Sequence, residues 1–118
     1  MKIGTDIIQI DRIEKSINKF GDRFLQRYLN ENEIKLIKSP QSAAGFWAAK
    51  EAISKALGCG IGKDLSFHDI IISKSPKGAP YFQIKNHKNF DIDSSSLSIS
   101  HDGGFAIAVV AISTKDNR

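Results

Sequence analysis

Residues 43–57 constrain this fold most, because their Ala-rich composition predicts a buried helix. Ser39 and Pro40 precede the stretch, and proline suits the first turn of a helix but not its interior. Gly58 follows it, at the position where a left-handed glycine commonly ends a helix. The alanines within the stretch leave room for another group to approach the helix closely.

The elements on either side of this helix differ in type. Before it, residues 1–5 predict a strand, apolar spacing from Ile7 to Phe24 predicts an amphipathic helix broken near Gly21, and residues 30–38 predict a short helix. After it come predicted strands at 66–73, 81–85, 97–100 and 105–112, with turns at 76–80 and 102–104. Helices followed by a mostly antiparallel set of strands predict an α+β fold, as a single domain over residues 1–118. The last strand is apolar on both faces and should be central or at a subunit interface.

The composition limits the class of protein. The 118 residues are 41% hydrophobic and 25% charged, as in ordinary soluble domains. No apolar run approaches the ~20 residues of a membrane span and no signal peptide is evident, so we expect a cytoplasmic protein that does not bind membranes. One cysteine, Cys59, excludes an internal disulfide, and we expect it to be a small buried hydrophobe rather than a nucleophile. The net charge of +4 favours an acidic partner: nucleic acid, phosphorylated cofactor or acidic protein.

Five chemically active side chains lie at the edges of predicted elements: Asp6, Lys50, Glu51, Lys55 and His101. Carboxylates are the ligands that hard divalent cations prefer, and ammonium groups bind phosphate oxygens. Together these residues predict a divalent-metal site that handles phosphate.

Each of these residues also has a structural interpretation. Asp6 has the spacing of a helix N-cap in a capping box with Gln9, a role compatible with metal binding. Glu51 could pair with Lys55 four residues on, and both lysines could belong to a solvated face. His101 could be a structural hydrogen-bonding group, a phosphate ligand or a general base.

Two further patterns concern binding. Gly58, Gly60 and Gly62 could offer backbone N–H groups to a phosphate, although the Gly-Lys-Ser/Thr ending of a P-loop is absent. Five basic residues would fall within an arc of about 120° on one continuous helix. This face is either solvated or a docking surface for an acidic helix, and its residues are Arg12, Lys15, Lys19, Arg23 and Arg27.

Several of these motifs occur in the order found in one enzyme family. They are Ile3-Gly4-Thr5-Asp6 through Arg12, Ala48-Ala49-Lys50-Glu51-Ala52 with Lys55, Gly58-Cys59-Gly60-Ile61-Gly62, Leu65-Ser66-Phe67, Gly78-Ala79-Pro80 and Ser98-Ile99-Ser100-His101. Over nearly its whole length the chain resembles the holo-[acyl-carrier-protein] synthases, short phosphopantetheinyl transferases of bacterial fatty-acid synthesis.

The resemblance implies a Mg²⁺-dependent transfer of 4′-phosphopantetheine from coenzyme A to a serine of apo acyl carrier protein, releasing adenosine 3′,5′-bisphosphate. It also implies a homotrimer with active sites at subunit interfaces. By analogy with the family, Asp6 and Glu51 would bind Mg²⁺, and Arg12, Arg23 and Arg27 would face the acidic helix of the carrier. The catalytic residues would be Glu51, Lys55 and His101, and the coenzyme would be bound by Lys50, Lys55, Gly60, Gly62, Ser100 and His101.

One departure from the family concerns the coenzyme's 3′-phosphate. The family often has arginine, associated with that phosphate, where this chain has Phe46, so Lys38 or another base should replace it. The general base remains open among Glu51, His101 (with Asp102) and a metal-bound water.

Two rival interpretations remain. One is a small basic nucleic-acid-binding domain, which would need exposed stacking aromatics, whereas Phe67, Phe82 and Phe105 lie in apolar strand patterns. The other is a catalytically silent relative, against which the presence of Asp6, Glu51 and Lys55 argues.

Overall fold

The computed structural model describes residues 1–85 and 90–115, and its architecture is α+β, as the sequence predicts. A three-stranded antiparallel sheet has the order β1-β5-β4, and a separate two-stranded sheet pairs β2 with β3. Along the chain the elements are β1 Lys2–Gln9, α1 Ile10–Phe20, α2 Asp22–Leu25, α3 Glu31–Ile34, α4 Pro40–Ala56, a 3₁₀ turn Phe67–Asp69, β2 Ile70–Lys74, β3 Pro80–Ile84, β4 Ile92–Asp102 and β5 Phe105–Thr114.

Strand β5 is central in the larger sheet, which confirms the prediction from its two apolar faces. Ala106, Ala108 and Val110 lie on its inner face and are fully buried beneath helix α4. Phe105, Ile107 and Val109 alternate with them and remain exposed on the outer face. The sheet therefore buries one face within the chain and leaves an apolar face open.

Helix α4 begins and ends as its flanking residues predict. Ser39 is the N-cap, its Oγ accepts a hydrogen bond from the Ser42 N–H at 3.2 Å, and Pro40 occupies the first turn. At the other end Gly58 has φ +86°, the left-handed conformation that stops the helix. Glycines also let α4 lie very close to the sheet. A Cβ on Gly4 of β1 would lie 2.0 Å from the Ala52 carbonyl oxygen.

The prediction that Asp6 caps the first helix is wrong. Every residue from Lys2 to Gln9 pairs with β5, Asp6 opposite Ala108, and α1 begins only at Ile10 with Gln9 as its N-cap. The capping-box spacing was a local signal. Pairing with a ten-residue central strand keeps residues 6–9 extended.

Other boundaries also differ from the sequence-based ones. Residues 66–69 form a capped 3₁₀ turn before β2, and β4 begins at Ile92 rather than at residue 97. The predicted helix at 30–38 is a single turn, Glu31–Ile34. Residues 86–89 and 116–118 lie outside the described residues. Among the helices described, none is long and apolar enough to cross a bilayer.

Candidate active site

Asp6 and Lys55 form the centre of the candidate site. Asp6 lies on the inner face of β1, and the Lys55 ammonium of α4 donates to its Oδ1 at 2.8 Å and to the Thr5 carbonyl oxygen at 3.3 Å. Two residues 49 positions apart in sequence therefore meet. The close approach of α4 to Gly4 makes this contact possible.

Glu51 lies one turn before Lys55 on α4 and is partly buried. Its pKa is raised, first by burial and then by the negative charge of Asp6, while the positive charge of Lys55 acts in the opposite direction. The carboxylates of Asp6 and Glu51 are thus close enough to interact electrostatically, and the Lys55 ammonium links helix α4 to strand β1. The structure brings together Asp6, Glu51 and Lys55 from the predicted set.

This donor set suits a magnesium ion. Asp6 and Glu51 would contribute two carboxylates to such an ion, and the described residues contain no cluster of three or more His, Cys, Asp or Glu side chains that could hold a metal. Mg²⁺ in proteins commonly has one or two carboxylate ligands and completes its shell with water and substrate phosphate. The pKa of Glu51 is raised first by burial and second by the negative charge of Asp6, and a bound cation would compensate that charge. Metal binding by these two residues stays a prediction.

Lys50 is not part of this cluster. It is 0% exposed, and its ammonium donates to Glu33 Oε1 at 2.8 Å, to the Tyr28 carbonyl at 2.7 Å and to the Phe67 carbonyl at 3.0 Å. Burial lowers the pKa of Lys50, and the charge of Glu33 opposes that shift. Because an ammonium has three donors and all are used, this placement contradicts the expected contact between Lys50 and the coenzyme. Sequence could not separate Lys50 from Lys55, which is exposed.

The glycine loop uses its backbone donors internally. The Gly60 N–H donates to the Ser54 carbonyl at 3.1 Å and the Gly62 N–H to the Leu65 carbonyl at 2.9 Å. A phosphate cradled by these two groups, as the sequence suggested, would require both bonds to break. Cys59 in this loop is exposed, so the expectation that it is a buried hydrophobe is wrong.

His101 and Ser100 point to opposite faces of β4, because successive side chains alternate along a strand. His101 shares the inner face with Leu97 and Ile99, whereas Ser100 lies on the outer face opposite Ile107. His101 lies two strands across from Asp6 and two residues along, which places their Cα atoms about 12 Å apart. Within one chain, His101 is therefore separate from the carboxylate cluster.

His101 lines a cleft of about 220 Å³ between the start of α4, the β2–β3 turn and β4. Phe46, the position of the departure from the family, lies at its base, and the Lys74 ammonium is 5.9 Å from the Phe46 ring centroid. No sequence periodicity links Lys74, at the end of β2, to Phe46 in α4, so this contact could not be predicted. A second, shallower cleft shares His101 and contains Asp11, Glu14 and Asp102.

The basic residues form one surface despite the break at Gly21. All five are exposed. The Lys19 ammonium and the Arg27 guanidinium lie over the same Phe20 ring, at 5.3 and 5.4 Å from its centroid. Phe20 is 41% exposed, so an open aromatic ring joins Lys19 of α1 to Arg27, which follows α2. Phe20 belongs to the apolar spacing from Ile7 to Phe24 that predicts the buried face of the first helix.

The outer face of the larger sheet is apolar and exposed. Ile3 is 68% and Ile7 59% exposed, and Phe105, Ile107 and Val109 of β5 lie beside them. Phe105, which the sequence placed in an apolar strand pattern, is 39% exposed on this face. The adjoining outer residues of β4, Ser96, Ser98 and Ser100, are uncharged. An aliphatic and serine-rich face lacks the basic residues that nucleic-acid binding requires.

Comparisons with known proteins found similar sequences and similar solved structures. Residues 2–110 match the family model described as 4′-phosphopantetheinyl transferase superfamily. A holo-[acyl-carrier-protein] synthase of Sulfurovum sp. is 62% identical over 114 residues, covering 95% of this chain and 96% of the relative. The crystal structure of Helicobacter pylori holo-[acyl-carrier-protein] synthase in complex with coenzyme A superposes with TM-score 0.90 at 56% identity, covering 94% and 99% of the two chains. A Bacillus anthracis holo-(acyl-carrier-protein) synthase in complex with CoA (3′,5′-ADP) gives TM-score 0.82 at 39% identity, covering 97% and 96%.

Proposed function

The chain belongs to the 4′-phosphopantetheinyl transferase superfamily and, within it, to the holo-[acyl-carrier-protein] synthases, and from this premise we propose the following reaction. It transfers 4′-phosphopantetheine from coenzyme A to a serine of apo acyl carrier protein in a Mg²⁺-dependent step and releases adenosine 3′,5′-bisphosphate. We place this activity in the cytoplasm, in fatty-acid synthesis.

The observation that carries the proposal is the meeting of Asp6, Glu51 and Lys55. The serine oxygen gives its proton to a base and forms a bond to the phosphorus that bears pantetheine. The bond from that phosphorus to the bridging oxygen breaks, and its electron pair leaves with adenosine 3′,5′-bisphosphate. Both bonds belong to a strongly anionic centre, so catalysis is mainly positioning and charge stabilisation. Lys55, which is exposed at the junction of β1 and α4, can donate to a pyrophosphate oxygen there.

Asp6 and Glu51 would hold the magnesium ion, with waters and pyrophosphate oxygens as its remaining ligands. Bound there, Mg²⁺ would supply Lewis-acid stabilisation of the negative charge that develops on the leaving phosphate. The Lys55 contact with Asp6 already shows that a cation is favourable beside this carboxylate.

The carrier protein would dock on the basic surface around Phe20. Arg12, Arg23 and Arg27 are exposed there and would face the acidic helix of the carrier. Charge complementarity of this kind raises the association rate and orients the partner. The aromatic ring between Lys19 and Arg27 adds an apolar contact of the type that often anchors interfaces.

We propose a homotrimer whose active sites lie at the subunit interfaces. The exposed apolar face of Ile3, Ile7 and Val109 needs a covering partner, and a second copy of the chain supplies one. The separation of about 12 Å between His101 and Asp6 supports sites that combine the carboxylate cluster of one subunit with His101 of its neighbour.

Mass spectrometry of a purified apo acyl carrier protein, incubated with this protein, coenzyme A and Mg²⁺, tests the proposal. We expect the carrier to gain one phosphopantetheine on its serine, and chelation of Mg²⁺ to abolish the gain. An unmodified carrier in the presence of active protein and Mg²⁺ would refute the transferase assignment. A shift of labelled RNA that ignores coenzyme A would instead favour the nucleic-acid-binding alternative.

A further inference from the structure

A buried ion pair between Glu33 and Lys50 lies outside the proposed reaction. Within the part of the chain that the structure describes, these two are the charged side chains that are fully buried. Glu33 also accepts hydrogen bonds from the Asn30 N–H at 2.7 Å and from the Ile72 N–H at 2.8 Å. A buried ion pair often stabilises a protein no more than apolar side chains of the same size would. Such a pair can instead fix one arrangement of the segments that it joins.

Lys50 joins helix α4 to the segment that follows α2. Its ammonium donates to the Tyr28 carbonyl oxygen at 2.7 Å, and the Tyr28 hydroxyl donates to the Ala43 carbonyl oxygen at 2.8 Å. Ala43 and Lys50 are about two turns apart on α4. Tyr28 is therefore attached to the helix at two separate points, and it directly follows Arg27 of the basic surface.

These hydrogen bonds restrict the segment more than its apolar contacts do. The Phe24 and Tyr28 rings pack on Trp47 of α4, with ring centroids 6.2 and 5.0 Å away. Apolar packing of this kind contributes stability but tolerates small shifts, whereas hydrogen bonds weaken steeply when their angle changes. All three donors of the Lys50 ammonium are used. The ammonium therefore defines where Tyr28 lies along α4.

This contact lies between the two parts of the protein that the reaction needs. Lys50 directly precedes Glu51 of the candidate site, and Tyr28 directly follows Arg27 of the docking surface. Under the proposed function, on which this inference rests, the serine of a docked carrier must reach the phosphorus held near Glu51. The position of the basic surface relative to α4 sets that distance, and an error of about 1 Å can cost about a hundredfold in rate.

We propose that Lys50, through Glu33 and Tyr28, is a positioning residue that holds the basic surface at a fixed place relative to Glu51. It touches neither the coenzyme nor the carrier. Its loss should therefore lower kcat and leave the binding of both substrates intact.

Steady-state kinetics of two variants tests the proposal. Glu33→Gln combined with Lys50→Met, the neutral-pair variant, leaves no unpaired buried charge. Its kcat should fall on the order of ten- to hundredfold, with unchanged KM for coenzyme A and for carrier protein. Tyr28→Phe removes only the contact with the Ala43 carbonyl, so its kcat should fall less.

Ile53→Val is the matched control for stability. Ile53 is fully buried on α4, and the change removes one methyl group without removing a hydrogen bond, so kcat should stay as in the unaltered enzyme. Urea denaturation identifies conditions under which each variant is folded. An unchanged kcat in either test variant under those conditions, or a raised KM for coenzyme A, would overturn the proposal.

A spectroscopic measurement separates this inference from the transferase activity. A nitroxide spin label on Cys59, the exposed thiol just beyond α4, broadens NMR signals of nearby amides according to their distance. The broadening at residues 23–27 should change in the neutral-pair variant and stay the same in Ile53→Val. Unchanged broadening in the neutral-pair variant would overturn the positioning role even if kcat falls. If the broadening changes but the unaltered protein modifies no carrier, the transferase proposal alone fails.

Discussion

The Lys55 ammonium donates to Asp6 Oδ1 at 2.8 Å, and this ion pair joins helix α4 to strand β1 at the candidate site. The pair can form only if the helix lies close to the strand.

Gly4→Ala should disrupt the site by pushing α4 away from β1. The new Cβ would meet the Ala52 carbonyl oxygen at 2.0 Å, and a backbone atom cannot rotate aside. We expect a loss of about 1–3 kcal/mol in the free energy of unfolding and a large loss of transferase activity. Urea denaturation and activity assays measure both. Gly62→Ala is the control, because nothing lies within 4 Å of its Cβ, and it should change stability by no more than about 0.5 kcal/mol.

Glu51→Gln should stabilise the metal-free protein at neutral pH. The pKa of Glu51 is raised in the folded state, so ionisation of this carboxylate disfavours folding above that pKa. The stability gained from the substitution should therefore shrink as the pH falls through the folded pKa and vanish below the unfolded value near 4.5. Thermal unfolding from pH 3.5 to 8 without metal measures this. A stability gain that stays constant with pH would contradict a raised pKa of Glu51 in the folded state.

With Mg²⁺ bound, the unaltered protein should become more stable than Glu51→Gln, the reverse of the order without metal. At ten times its Kd, Mg²⁺ should stabilise the unaltered protein by about 1.4 kcal/mol. Glu51→Gln should respond much less, because one of its two carboxylate ligands is gone. Thermal unfolding with and without Mg²⁺ is the measurement. Equal stabilisation of both proteins would rule out metal binding by Glu51.

Lys50→Met should unfold or strongly destabilise the protein without acting on coenzyme binding. Glu33 would remain buried and charged, and the Tyr28 and Phe67 carbonyls would lose their donor, at a cost of about 3–5 kcal/mol. Glu33→Gln combined with Lys50→Met should cost less than the sum of the single changes, because the pair is directly coupled. Urea denaturation followed by Trp47 fluorescence measures this. Lys63→Met, at an exposed position, is the control. A raised KM for coenzyme A in stably folded Lys50→Met would restore the original prediction.

Changes on the basic surface should affect the carrier protein selectively. Arg23→Glu and Phe20→Ala should each raise the KM for carrier protein several-fold, because the first reverses a charge and the second removes the ring that Lys19 and Arg27 share. The KM for coenzyme A should not change. The effect of Arg23→Glu should weaken at high salt, where charges are screened. Lys77→Glu controls for net charge. Equal effects on both substrates would reject the docking surface.

A charge on the outer face of the sheet should dissociate the trimer. Ile7→Asp would place a carboxylate in the apolar patch, whereas Tyr81→Asp, at an exposed residue of β3, should leave the assembly unchanged. Light scattering after size-exclusion chromatography distinguishes the two.

If the sites combine two subunits, co-expressed Glu51→Gln and His101→Ala chains should recover activity that neither has alone. Recovery requires that the intact Glu51 and His101 come from different chains, so its absence would place them in one chain.

The fold class and the position of α4 were predictable, because the signals are local. Ser39, Pro40 and Gly58 fix the ends of the helix through backbone geometry that sequence encodes directly. The end of β1 was not predictable in the same way. Asp6 has a good local capping pattern, but pairing with a distant strand decides its conformation.

The site was predicted in its residue types and only partly in their placement. Lys50 and Lys55 are equivalent by composition, and only the packed positions of Glu33, Tyr28 and Phe67 show that Lys50 points into the core. Lys74 and Phe46 lie in elements with no shared periodicity, so their contact follows from tertiary packing alone. Phe20 belongs to the apolar repeat of α1, yet it is 41% exposed, next to the turn at Gly21.

The exposed thiol of Cys59 and the indole of Trp47 have a practical consequence for the laboratory. Each is the only one of its kind in the chain, and the Cys59 Sγ lies 3.9 Å from the carbonyl oxygen of Ser54, which is about two turns of α4 beyond Trp47. A dye attached to the thiol could receive energy from the indole without any engineered residue. Substrate binding could therefore be followed in real time as a change in this energy transfer, on the native polypeptide.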